Sequence, residues 1–556
     1  MKKFLLLFLI LTSLNHSLKA QCEPTSSEEL NINNVRATIF NSGLFWDIPT
    51  PLIGGGYELP IVNPNSGINP IHAFSRGAFW ISAFDENEAL KISMEGFGST
   101  EYDFFPGTIN SNTGQVDASA CNAFNRLWEI KKMDIQNHLD NVSNGLPLQV
   151  SDIDDKILLW PAKGNVHFTD YNITEDLAPF IDLNNNGIYD PENGDYPDIS
   201  GDQAIFWVLN DIGGHHWLNI GEPLGIELQI LAYAYSDTNS FLNNSTFYDV
   251  KIIKKTQGEA NDLYFSLYID PDLGDYSDDY IGCDTSSNTA FTYNSSPCDA
   301  LYGCAPNIPI LTTTFLDKTM TSFTYISSSP TLVDDSLLRS YQLAANGWGD
   351  PFFRGGNGVS GCGVSSEPAI FLYTGNPSIC EEWSEASSDP DGCTCPPLAP
   401  GDRSYIQSSG PYDLNFMESL EFTFVATGIF PDTFNGLPNI DLVLIPYIQN
   451  LFQFHFDSIS IGNQYDFEYE PNSIANLDAN TIKIYPNPVS DYLTIDFDEA
   501  TIADVKMMDM NGRIISEISL NDNQTSHSIN LSQISKGVYF LSIEIEGQIL
   551  NYKLVK

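Results

Sequence analysis

Leu263-Tyr-Phe-Ser-Leu-Tyr-Ile269 sets Leu263, Phe265, Leu267 and Ile269 on one side of an extended chain and Tyr264, Ser266 and Tyr268 on the other. Successive side chains of a strand point to opposite faces, so this segment is apolar or aromatic on both. A strand of that kind belongs inside stacked sheets, where each face has a cover. Similar patterns predict strands at 204–209, 226–235, 246–254, 369–373 and 420–427. Helices are expected only at 134–141, 336–345 and 441–456, the last interrupted by Pro446, which has no amide donor. Glycine and proline, 40 and 32 residues, fall between the strands and predict many turns and long loops. The expected fold class is therefore mainly β, a sandwich-rich multi-domain body with few short helices.

The C-terminal end carries a separate pattern. It reads Ile482-Lys-Ile-Tyr-Pro-Asn-Pro488, Tyr492-Leu-Thr-Ile-Asp-Phe497, Met510-Asn-Gly-Arg513, Gly537-Val-Tyr-Phe-Leu541 and Tyr552-Lys-Leu-Val-Lys556. Leu493, Ile495 and Phe497 alternate with Thr494 and Asp496, the period of a half-buried strand. Asn511-Gly512 supplies the positive φ angles of a tight hairpin turn between 505–510 and 514–518. Pro486 and Pro488 lack amide donors and suit an edge or turn. Gly537 and Gly547 bracket the run 538–545, and 549–555 follows it. About seven short strands in this length predict an immunoglobulin-like sandwich.

This order of motifs resembles the type A C-terminal sorting domain of cargo carried by the bacterial type IX secretion system. The resemblance implies that 481–556 is read by the outer-membrane translocon and removed by a sortase-like peptidase, with the cut in the polar stretch 471–479. It further implies a mature body either attached to surface lipopolysaccharide or released. The other end agrees with export: Lys2 and Lys3 precede an apolar run from Phe4 to Leu11, then polar residues and Ala20. That is the layout of a signal peptide cleaved after Ala20. Gln21 stands where a lipoprotein signal before Cys22 needs a small residue. No later stretch reaches the ~18 apolar residues of a transmembrane helix. The expected organisation is a signal peptide at 1–20, an N-terminal β-rich region at 21–200 with an Asp/Asn-rich loop, a β-sandwich-rich body at 201–470 with disulfide-bearing loops, a linker at 471–480 and the sorting domain at 481–556.

Composition narrows the partners. With 72 acidic and 24 basic residues the formal net charge is −48, and loss of Lys2, Lys3 and Lys19 deepens it. Such a charge repels phosphate backbones and anionic lipid, so nucleic acid is excluded as a partner and cations are favoured. Hydrophobic content of 42% sets the chain apart from disordered acidic tails. Its nine cysteines, in an oxidising exterior, read as disulfides with one thiol left over. Cys393 and Cys395 are too close to pair with each other easily, so each needs a partner from elsewhere.

Stretches of the body resemble a large family of uncharacterised exported proteins ending in the same sorting domain. They include Asn31-Ile-Asn-Asn-Val-Arg-Ala37, Gly77-Ala-Phe-Trp-Ile81, Trp207-Val-Leu-Asn-Asp211, Pro223-Leu-Gly-Ile-Glu227 and Ser408-Ser-Gly-Pro411. That resemblance implies location and architecture and no catalytic activity.

The chemistry most visible in the body is calcium-like. Asp182, Asn184 and Asn186 hold positions one, three and five of an Asp-x-Asn-x-Asn-Gly loop, with Gly187 permitting the sharp turn. Ile188 offers a backbone carbonyl, Asp190 a ninth-position ligand, and Asp195 or Glu192 replaces the twelfth-position glutamate that Asn193 lacks. A hard cation wants six to eight oxygens at such spacing. The alternative is an Asx-rich turn held by its own hydrogen bonds. A second acidic cluster, Asp270, Asp272, Asp275 and Asp279, follows the strand 263–269 and is a weaker calcium candidate, or else a solvated loop.

Enzyme signatures fail. His215 and His216 form the single histidine pair, without a zinc-peptidase pattern. Gly358-Val-Ser-Gly-Cys-Gly363 places Cys362 where a nucleophile elbow needs glycine. Two function classes remain. The first is a secreted or cell-surface, non-catalytic, calcium-stabilised protein with an adhesion or scaffold role toward a polysaccharide or protein ligand. The second is a secreted hydrolase without a linear motif.

Overall fold

The computed structural model describes residues 22–46, 56–61, 71–95, 102–216, 221–236, 240–304, 306–326, 335–390, 392–431 and 437–460. In the C-terminal part it describes 482–485, 492–497, 503–508, 514–520, 525–531, 538–545 and 548–555. The expected signal peptide at 1–20, the linker at 471–480 and the Asn511-Gly512 turn lie outside the described residues. Two compact units emerge, Met1–Gln464 and Tyr465–Lys556.

In the first unit, the strand Ala260–Asp270 lies between Arg76–Phe84 and Ser404–Leu414 in a ten-stranded sheet. Ser322–Ile326 forms one end of this sheet, and short strands from the N-terminal hundred residues form the other. A nine-stranded sheet runs Asp279–Asp284, Thr289–Asn294, Ile310–Phe315, Ser419–Ile429, Ser245–Lys254, Ile226–Ala234, Gln203–Asn210 and Phe105–Pro106, with Trp128–Lys131 also on Gln203–Asn210. All pairings within both are antiparallel.

The double-sided character of 263–269 has the predicted cause. Leu263, Phe265, Leu267 and Ile269 enter a core shared with Tyr248, Ile252, Phe422 and Phe424 of the second sheet. The Phe265 and Phe422 rings meet at 3.8 Å, and Tyr248 stacks on Phe424 at 4.5 Å. On the other face Tyr268 stacks on Trp80 at 5.6 Å beneath Leu338 of the helix Asp335–Gln342. Each such aromatic, fully buried, contributes about 1.5–3 kcal/mol of transfer free energy. The outer face of the second sheet carries a further core with Phe206, Tyr233 and Phe247. The helix Ile440–Ser460 and the segment around Trp160 and Tyr189 cover it.

The boundary expected near residue 200 does not separate compact bodies, because both sheets take strands from either side of it. The strand expected at 369–373 is a single parallel bridge, Phe323 to Phe371. Tyr373 adopts φ 53°, which turns the backbone out of an extended path. The helix 441–456 forms despite Pro446, as Ile440–Ser460.

Four disulfides join Cys22–Cys121, Cys298–Cys304, Cys362–Cys395 and Cys380–Cys393. Cys393 and Cys395 thus find separate partners, and Cys283 keeps its thiol. That thiol donates to the Leu372 carbonyl at 3.3 Å, and burial pushes its pKa well up. It is expected to stay unreactive toward a thiol reagent in the native protein and to label only after denaturation. Immediate stoichiometric labelling would contradict that burial.

Among its described residues the second unit has seven strands in two antiparallel sheets. Ile482–Tyr485, Tyr492–Phe497 and Ser526–Asn530 form one; Ile514–Leu520, Ala503–Met508, Val538–Ile545 and Gln548–Val555 form the other. Leu493 and Ile495 are buried, as are Val505, Met507, Leu541 and Ile543, so each sheet buries alternate positions as a sandwich does.

Candidate metal centre

The central strand of the first sheet ends on Asp270, and the chain then crosses to the second sheet, which it enters at Asp279. The crossing Asp270-Pro-Asp-Leu-Gly274 is therefore acidic where it leaves one sheet for the other. Ile269 pairs with Tyr405, which brings the residues before the strand Ser404–Leu414 alongside. Asp402 arrives by this pairing. Oxygens of Asp270, Asp272 and Asp402 lie within 4.8 Å of one another.

Asp270 is buried, and its Oδ1 accepts from Ser404 Oγ at 2.8 Å. Burial first, and then the Asp272 and Asp402 charges, push its pKa up to about 7, while Arg76 and the Ser404 bond pull the other way. Asp272 is raised to about 6 by burial and by Asp402. The neighbouring Arg403 does not neutralise the group, because its Nε donates to Glu385 Oε1 at 2.9 Å on the other side. Asp402 is exposed, so the three carboxylates open to solvent at one side. Three converging carboxylates beside two serine hydroxyls, Ser404 and Ser75, form an oxygen-only donor set suited to a hard divalent cation.

Asp279 sits deeper in the same crossing. Its Oδ2 accepts from Leu273 N at 3.1 Å, while its buried Oδ1 has no hydrogen-bond partner among the described residues. Burial raises its pKa well above the usual range, and Asp272, Asp278 and Asp299 add to the rise. Asn294, paired opposite it across the strands, also has a buried, unpartnered Oδ1. A buried oxygen left without a partner costs about 1–3 kcal/mol. Gly274 is required here. Its φ is +67°, and a Cβ would stand 2.4 Å from an Asp299 oxygen.

Asp275 does not join the group. Ser277 occupies its Oδ1 from the hydroxyl at 2.7 Å and the amide at 3.1 Å, bonds that lower its pKa. It serves as the cap of the short helical turn Tyr276–Asp278.

The Asp182 loop is closed on itself. Asp182 accepts from Asn186 N at 3.2 Å and Gly187 N at 2.7 Å; Asn184 Oδ1 accepts from Asn186 N at 3.0 Å; Asn186 Oδ1 accepts from Ile188 N at 2.9 Å. Asp190 is held by the side-chain amides of Asn184 and Asn186, at 2.9 and 2.7 Å. Buried Asp195 accepts from Leu183 N and Asp190 N, both at 2.9 Å. Burial raises the Asp195 pKa to about 6 against those bonds, and Asp190 and Asp182 add to the rise. The Asx-turn arrangement is thus realised in full. Each of these oxygens keeps a further lone pair, so the turn bonds are compatible with a cation here; among the described residues, Asp270 and Asp272 are bonded by the Ser404 and Ser75 hydroxyls.

Other sequence candidates are structural. His216 is buried with its ring nitrogens 3.1 and 2.7 Å from the Ile92 and Asp211 carbonyls. Cys362, Cys393 and Cys395 are in disulfides and offer no thiolate. Asp402 was missed because nothing local marks it. Its role comes from the pairing of the strand that follows it.

Residues 483–556 match the family model described as a secretion system C-terminal sorting domain. The chain carries a sorting domain of type IX secretion, which directs export to the cell surface or release and interaction with the secretion machinery. No helix among the described residues is long and apolar enough to cross a membrane. No curated protein matches the chain in sequence. Similar solved structures include a DUF3244 family protein with an immunoglobulin-like β-sandwich fold from Bacteroides vulgatus, at 18% identity over 15% of this chain and 92% of that one, with a TM-score of 0.13. A polysaccharide lyase is similar at 7% identity over 59% of this chain and 34% of that one, with a TM-score of 0.19. Scores this low carry no argument about fold or activity.

Proposed function

We propose that this type IX cargo is a non-catalytic, calcium-stabilised β protein that works outside the cell as an adhesion or scaffold component. The observation that carries the reading is the convergence of Asp270, Asp272 and Asp402 within 4.8 Å, at the crossing that ties the two sheets together. Three carboxylates packed that closely repel one another unless a cation screens them. A site placed between the sheets stabilises the body without presenting a reactive group. Release of the C-terminal domain by a sortase-like peptidase, and attachment to surface lipopolysaccharide, complete the proposed route.

The absence of catalysis is directly testable. The secreted protein, incubated with neutral and acidic polysaccharides and with denatured protein, is expected to release no reducing ends, unsaturated products or peptides. Product release that disappears in a single carboxylate variant would overturn the non-catalytic reading in favour of a hydrolase.

A further inference from the structure

On the outer face of the nine-stranded sheet, between the helix Ile440–Ser460 and the segment 177–200, a cleft of about 430 Å³ opens to solvent. Its floor is set by strand register. Leu231, Asp249 and Thr423 lie side by side on three adjacent strands, with Tyr233, Phe247 and Val425 forming the next row. Tyr233 and Phe247 stack at 5.3 Å, and Phe454 of the helix closes that end of the cleft. Asp198 forms part of the opposite wall.

Among the described residues, two carboxylates here have no counter-charge paired with them. Asp249 Oδ1 accepts from Thr423 Oγ1 at 2.7 Å and Tyr233 OH at 3.3 Å, both neutral donors. Among the described residues the Asp198 side chain makes no hydrogen bond or ion pair, and burial alone raises its pKa to about 6. Asp249 is raised to about 6 as well, by burial and then by Asp317 and Glu421. The cleft's basic side chain is already engaged: Lys251 pairs with Glu421 at 2.8 Å. Lys318, beside the cleft, pairs with Asp317 at 3.3 Å. His455 is held toward its neutral form by burial, and its buried Nε2 has no partner.

We infer that this cleft binds an organic cation, an alkylammonium or guanidinium group on an aliphatic arm such as a lysine or arginine side chain presents. The inference gives a ligand class to the binding role proposed above and rests on that role, though not on the calcium centre. A cation beside Asp198 or Asp249 favours the ionised carboxylate, and the aromatic end accommodates the arm. Calcium fits poorly, because an aromatic wall supplies no oxygen ligands. Anionic sugars meet four acids, and a neutral sugar leaves the half-buried carboxylates without a counter-charge. The volume suits a group the size of one side chain.

N-acetyl-lysinamide is the probe, titrated into the mature protein at physiological salt with calcium in excess. N-acetyl-norleucinamide serves as its neutral counterpart and maltotriose as a sugar. The lysine probe is expected to bind at one site and the other two not to bind. Asp198→Asn, which removes no hydrogen bond, should weaken binding by about tenfold or more, and Asp249→Asn likewise. Asp155→Asn, on the exposed surface, removes the same charge and should change nothing. Lowering the pH from about 7.5 to about 5 should weaken binding, as Asp198 and Asp249 take up protons. Equal affinity in Asp155→Asn and Asp198→Asn would overturn the inference, since only diffuse charge would then be at work. So would binding of the norleucine compound or of maltotriose, or no saturable binding at millimolar probe. Repeating the titration in Asp402→Asn keeps the two readings apart. Unchanged probe affinity there, with the calcium-dependent melting shift lost, shows that the cleft and the calcium centre are independent.

Discussion

Deleting residues 477–556 is expected to leave a folded body trapped inside the cell envelope. The body is a compact unit ending at Gln464, distinct from Tyr465–Lys556. All four disulfides lie between Cys22 and Cys395, and both large sheets close before residue 430. Every residue of the body's described core clusters precedes the deleted segment. The sorting domain match occupies 483–556, so the deletion removes what the secretion machinery reads. Fractionation should find the truncated protein in the periplasm, oxidised and protease-resistant, while the full-length chain appears outside. Truncated protein in the medium or on the cell surface would contradict the assignment.

The second large effect is on stability. Calcium at a thousandfold excess over its dissociation constant adds about 4 kcal/mol to a protein that binds it only when folded, enough to raise Tm by several degrees. The same carboxylates give opposite pH trends with and without the ion. Without it, folded Asp270 and Asp272 titrate near 7 and 6, against about 3.9 for an unfolded aspartate. Between about pH 7 and pH 4 the folded form then holds more protons, so this contribution to stability rises on acidification and falls as pH climbs. With calcium bound the triad is ionised, and protons compete with the ion, so its stabilisation is lost as pH falls. Calcium and chelator melting curves should therefore diverge above pH 7 and converge toward pH 5. Asp402→Asn should abolish the divergence while leaving the metal-free protein folded. Asp182→Ala, which removes the acceptor for two backbone amides, should cost about 1–3 kcal/mol in both buffers. Parallel curves at every pH would contradict the calcium centre.

Much of the architecture was legible in local pattern. Strands rich in large apolar residues, such as Ile226–Ala234 and Ser419–Ile429, announce themselves by periodicity. Ser404–Leu414, which pairs with Ala260–Asp270, and Ile310–Phe315, which pairs with Ser419–Ile429, did not, because serine and threonine fill several of their buried positions. Ser408 and Ser266 hydroxyls meet at 2.9 Å within one sheet, and Thr313 bonds Gln407 at 2.8 Å between the two, so hydrogen bonds replace apolar contact there. The acidic crossing was half visible. Asp270 and Asp272 are two residues apart in sequence, but Asp402 is supplied by a strand pairing that no local window contains. Asp275 and Asp279 look equivalent in sequence, yet one caps an exposed turn and the other is buried. The Asp182 loop showed the opposite limit: a ligand-like spacing is also the spacing at which Asx side chains satisfy their own backbone.

Calorimetric titration of calcium into the metal-free body at pH 7.5, beside Asp402→Asn, bears most directly on the calcium centre. Saturable binding by the wild type, with protons released from carboxylates that titrate near neutrality and no binding in the variant, is the predicted result. No heat at millimolar calcium, or identical isotherms for the two proteins, would contradict it.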